Sequence, residues 1–172
     1  MSRRLGRETA LQTLFQHDLG RVDLEFALKY TCEEFSVNER AAEFAQELVR
    51  GVADYRKEID QTISRLAVEW NLDRLANVDR NLLRLAIFEI LYRSDVPNNV
   101  AINEALELAK IYSGEEAAKF INGVLGQLAR ELQQKENKSS PSDHDDGQSV
   151  AISEQAGTEK EQSEKEQVNG SL

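Results

Sequence analysis

Asn77-Val-Asp79-Arg80-Asn-Leu-Leu-Arg84-Leu-Ala-Ile-Phe-Glu89-Ile-Leu-Tyr92 decides the fold. Between Leu82 and Tyr92 only Arg84 and Glu89 carry charge. A helix that is apolar nearly all round has to be covered on most sides, so this segment reads as the central helix of a helical protein. Its two charges then need partners or an interface, because an unpaired buried ion is costly. Asp95-Val-Pro97 ends the segment, since a residue before proline avoids the helical region.

Working outward, each neighbouring segment repeats apolar residues at helical spacing. Upstream, residues 55–70 place Ile59, Ile63, Leu66, Ala67 and Trp70 on one face. Before them, Ser36-Val-Asn-Glu39 has the form of a capping box, opening a helix with Ala41, Phe44, Ala45, Leu48, Val49 and Val52 inward. Residues 24–35 carry Leu24, Leu28, Thr31 and Phe35. Residues 7–19 align Leu11, Leu14, Phe15 and Asp18, with Gly20 as the stop. Downstream, residues 100–112 bury Ile102, Leu106 and Ala109, and a polar Asn103 there calls for hydrogen-bond partners. Ser113-Gly-Glu-Glu116 is a second capping box, and residues 114–132 turn Phe120, Ile121, Val124, Leu125 and Leu128 inward. Gly123 inside that helix suggests a close helix–helix approach. The expected fold is all-α: about seven helices, with helices 1–3 and 4–7 as two packed bundles in residues 1–132.

Character changes at Gln133. Six of the last 40 residues are apolar, and residues 133–172 hold 4 Lys against 9 Asp and Glu. Such a segment buries too little surface to offset its ordering entropy, so a disordered acidic tail is expected.

Composition narrows the function. The 172 residues hold 21 Lys and Arg against 31 Asp and Glu, a net charge of −10. A single cysteine, Cys32, excludes a disulfide framework and a cysteine-cluster zinc site. Two histidines, His17 and His144, leave little for a metal site. No apolar run approaches the ~20 residues of a membrane helix, and no apolar stretch follows the basic start as a signal peptide requires. The expectation is a cytoplasmic, non-enzymatic protein without cofactor or metal.

Three stretches go beyond generic helix. One is the basic start, Arg3-Arg4-Leu-Gly-Arg7, running into Glu-Thr-Ala-Leu-Gln12-Thr-Leu-Phe15. Another is Val78-Asp79-Arg80-Asn-Leu-Leu-Arg84 with its continuation. The third is Asp95-Val-Pro97-Asn-Asn-Val-Ala-Ile-Asn103-Glu104-Ala-Leu-Glu-Leu-Ala-Lys110, running on to Lys119-Phe120-Ile-Asn122-Gly123-Val-Leu. Together, over residues 3–130, they resemble the NusB family of bacterial transcription antitermination factors. The resemblance implies a non-enzymatic protein that binds boxA, a short single-stranded RNA element. Its partners would be ribosomal protein S ten (NusE) and an RNA polymerase antitermination complex.

The local chemistry suits such a role despite the net charge, because local potential is what an RNA meets. Of the 17 basic residues in 1–132, 13 are Arg, whose planar donor fork suits phosphates and bases. Arg3, Arg4 and Arg7, with Gln12 as a reader of base edges, are the candidate RNA contacts; the resemblance adds Lys119 and Phe120. For the protein partner it implies Asp79, and Phe15, Arg80 and Arg84 join it as candidates. Fusion to a methyltransferase would require a nucleotide-cofactor domain, which 172 residues do not accommodate. A competing reading is a helical interaction module acting as a homodimer without touching RNA.

Overall fold

The computed structural model describes residues 2–139. Seven α-helices follow in order: α1 (Ser2–Gly20), α2 (Leu24–Glu34), α3 (Glu39–Asp54), α4 (Arg56–Leu66), α5 (Asn77–Tyr92), α6 (Asn98–Tyr112) and α7 (Glu115–Ser139). A single 3-10 turn, Leu72–Arg74, precedes α5, and the described residues contain no strand. The central-helix reading holds: every residue from Asn81 to Ile90 is buried. α5 packs on α1 and α3 as well as on α4, α6 and α7. One continuous core runs from Leu14 and Leu48 through Leu83 and Ile87 to Ile121 and Leu125.

The two charges in the apolar run of α5, Arg84 and Glu89, are paired inside the protein. Glu89 accepts from the Arg7 guanidinium, and Arg84 donates to Asp18 and Asp60. A close approach explains one glycine: a Cβ on Gly51 would lie 2.0 Å from Phe88 Cζ, so only glycine lets α3 and α5 meet there.

Several boundaries differ from expectation, each for a local reason. α1 begins at Ser2 rather than near residue 7, so the basic start is helical. Asn38, not Ser36, caps α3 by accepting from the Ala41 amide at 3.1 Å; Ser36 instead takes a left-handed φ of 48° in the preceding turn. At the start of α7 the cap position falls to Gly114, whose φ of 99° suits glycine, while Ser113 closes α6. α4 stops at Leu66, and the chain turns, leaving Trp70 54% exposed instead of in the core. Asn103 is exposed, and a Cβ on Gly123 would meet nothing within 4 Å, so packing does not explain that glycine. Residues 133–139, expected in the disordered tail, continue α7 with their side chains exposed. The rest of that expected tail, 140–172, lies outside the described residues.

Candidate nucleic-acid interface

Ser2 opens α1 beside the starts of two other helices. A groove of about 780 Å³ is lined by Ser2, Arg3, Arg4, Arg7 and Glu8 of α1, by Asn38 at the cap of α3, and by Pro97, Val100 and Glu104 at and beyond the start of α6. Three helix N-termini therefore face it, each carrying partial positive charge from aligned peptide dipoles. α3 carries Glu39 in its first turn, but neither α1 nor α6 has an acidic residue there to offset this. Pro97 supplies no side-chain cap to α6. A polyanion is the ligand such a margin favours.

The arginines are held rather than loose. Arg3 donates to Asp95 at 2.7 Å, and Arg4 donates to both carboxylate oxygens of Glu104 at 2.8 and 3.0 Å. Both arginine side chains stay more than half exposed, so donors remain for a ligand. Arg93 bridges Asp95 and Glu47 from the α5–α6 connection. Hydrogen bonds from Arg93, then Arg3, push the Asp95 carboxyl down to about 2. Arg4 likewise holds the Glu104 carboxyl below the usual range.

Phe44 organises this corner. The guanidinium carbons of Arg3, Arg93 and Arg7 lie 5.1, 5.2 and 5.3 Å from its ring centroid, within cation–π range. The ring sits against Gly6, where a Cβ would come within 2.7 Å of Phe44 Cδ1. Phe44, Arg93, Asp95 and Glu104 were not among the candidate residues. The turn Arg93-Ser-Asp95-Val-Pro97 was the available sign, since it sets an arginine and a carboxylate beside a helix start.

Two candidates are not at the surface. Arg7, expected to meet RNA, is buried, with Nε and Nη2 engaged by Glu89 at 2.8 and 2.7 Å. It lies in the wall of the groove, with its guanidinium turned to Glu89 of α5. Arg84, expected at the partner surface, is likewise buried, with Asp60 and Asp18 at 2.7 and 2.8 Å. Burial pushes the Asp18 carboxyl up, but Arg56, Asn81 and Arg84 outweigh it and hold it low. Gln12 is half-buried and donates to the Tyr112 hydroxyl, which in turn donates to Glu8. Phe15 is half-buried beside the fully covered Leu14.

Three further candidates gather in a second groove of about 520 Å³. Asp79 from α5, with Lys119 and Phe120 from α7, lines it together with Trp70 and Arg74. Trp70 packs tilted on Phe120 with ring centroids 5.5 Å apart. Asp79 Oδ1 is buried without a hydrogen-bond partner, and so is Nε of the adjacent Arg80, whose Nη1 reaches the Leu72 carbonyl at 3.4 Å. Residues expected on RNA and on protein thus share one groove. Trp70 was missed as part of it because its spacing continues the apolar face of α4.

The fold and these grooves define the class: an all-helical binding module with a cationic rim. The NusB family model matches residues 4–130, and the chain belongs to the NusB family. The transcription antitermination protein NusB of Heliobacterium modesticaldum is 64% identical over 134 residues. That match covers 78% of this chain and 65% of the relative, so just under two thirds of the relative's length is spanned. The same-named protein of Desulforamulus reducens is 52% identical over 128 residues, covering 74% of this chain and 90% of the relative. Among solved structures, one of antitermination factors NusB and NusE in complex with dsRNA is similar at a TM-score of 0.71 and 31% identity. It covers 76% of this chain and 97% of the other. No helix among the described residues is long and apolar enough to cross a membrane.

Proposed function

We propose that this chain is a transcription antitermination factor. In this reading it binds boxA single-stranded RNA in nascent ribosomal RNA transcripts together with ribosomal protein S ten (NusE), and joins an RNA polymerase antitermination complex. One observation carries the reading: the similar fold was solved as NusB with NusE and double-stranded RNA. The cationic rim agrees with it. Arg3 and Arg4 meet phosphates, with Asp95 and Glu104 fixing their direction. Arg7 acts from inside, anchoring α1 on α5. Gln12 meets the RNA farther along α1, and Lys119 and Phe120 do so from the second groove. Asp79 in that groove, Arg80 beside it on α5 and Phe15 on α1 face the protein partner.

A titration of labelled boxA RNA tests this, run with and without ribosomal protein S ten. Binding is expected, tighter with the partner present, and weaker as salt rises because phosphate neutralisation releases counterions. Light scattering in the same buffers reports the assembly. A stable homodimer that binds neither RNA nor partner would contradict the proposal.

A further inference from the structure

A third groove, of about 560 Å³, adjoins the first across Arg3, with Ser2 and Arg3 lining both. Its other walls are Arg40, Glu43, Phe44 and Glu47 of α3, and Arg93. Three guanidinium groups therefore face two carboxylates, a positive balance in a chain of net charge −10. Arg93 is committed to Asp95 and Glu47, and Arg3 to Asp95. Arg40 differs: it is exposed in the first turn of α3 and, among the described residues, makes no ion pair or side-chain hydrogen bond. An unengaged donor fork beside two partly engaged arginines is suited to a phosphodiester.

We propose that the RNA track crosses the Arg3 ridge onto α3, where Arg40 contacts a backbone phosphate as a further RNA-binding residue. The proposal rests on the RNA-binding function given above and extends the contact surface beyond the α1 edge. Phosphate contacts of this kind position a strand without reading its sequence. Arg40 therefore adds affinity for nucleotides flanking the recognised element, whatever their bases. Glu43, which lines the same groove, opposes the strand and tempers that gain.

The test uses the full chain with ribosomal protein S ten and a fluorescent boxA RNA extended on both sides. Arg40→Ala is expected to weaken binding roughly threefold to tenfold and to lower the slope of log affinity against log salt by about 0.7, the loss of one single-strand phosphate contact. Glu43→Gln is expected to tighten binding. Lys57→Ala, an exposed cation outside both grooves, serves as the control and is expected to leave binding unchanged. Circular dichroism is expected to be the same for all variants, because these side chains are exposed. Wild-type affinity and salt slope in Arg40→Ala, alongside weakened binding by Arg4→Ala, would overturn the α3 track and leave the RNA-binding function standing. Loss of ribosomal protein S ten instead of RNA in Arg40→Ala would also overturn it, by assigning the groove to a polypeptide. Failure of the wild type to bind any RNA would remove both readings together.

Discussion

Arg7 and Glu89, 82 positions apart, meet in the interior as a pair of parallel hydrogen bonds, with side chains 6% and 2% exposed. Glu104 lies 3.8 Å from the same guanidinium and also holds Arg4, so the buried pair is tied to the exposed rim. Removing one partner strands a buried charge. Glu89→Ala is expected to cost about 3–5 kcal/mol, read from urea unfolding monitored by circular dichroism. Replacing both residues with apolar ones of similar size, as in Arg7→Met with Glu89→Leu, is expected to recover most of that loss. A single variant within ~0.5 kcal/mol of wild type would show the pair is not desolvated as drawn.

Two glycines make opposite predictions. Gly51→Ala drives a methyl group into the Phe88 ring, and a loss of roughly 2–3 kcal/mol is expected from overpacking between α3 and α5. Gly123→Ala places its methyl in open space on an exposed helical position, where about 1 kcal/mol of added stability is expected from helix propensity. Thermal melts of the two variants check both signs in one experiment.

Asp95 ties acid stability to the rim. Its folded-state carboxyl lies at about 2, below its value in the unfolded chain, near 3.9. Its contribution to stability is therefore present above the unfolded value and lost as pH falls through the folded one. Because the carboxylate is nearly half exposed, solvent screening reduces the effect to about 1 kcal/mol. Asp95→Asn is expected to flatten the decline in stability between about pH 4 and pH 2. An unchanged profile in denaturant titrations would show that Arg93 and Arg3 do not hold this carboxylate in solution.

The sequence was informative where burial is written in apolar residues. The run through α5 announced its central place, and its two charges announced that they needed partners. It was uninformative where polar residues do the packing. The buried face of α1 includes Gly6, Arg7, Thr9 and Thr13. The two threonines satisfy their hydroxyls on carbonyls four residues back, a bond that leaves no mark on hydropathy. Arg7 looked like a surface cation for the same reason: its partner is on another helix. Trp70 failed in the opposite direction. Its spacing fits α4, but the helix ends at Leu66, and the ring emerges beside Phe120. Of the candidate site, Arg3 and Arg4 are exposed at the rim, while the Phe44 hub that supports Arg3 depends on contacts among α1, α3 and the α5–α6 connection.

The central claim is that RNA meets the rim formed by the first turn of α1 and the starts of α3 and α6. Photo-crosslinking of a thiouridine-substituted boxA RNA to the full chain, followed by peptide mapping, tests it most directly. Crosslinks are expected in the peptides carrying Arg3, Arg4 and Asn38, and are expected to fall sharply in the Arg3→Ala, Arg4→Ala double variant. Crosslinks confined to other faces of the molecule, and unaffected by that double substitution, would contradict the account.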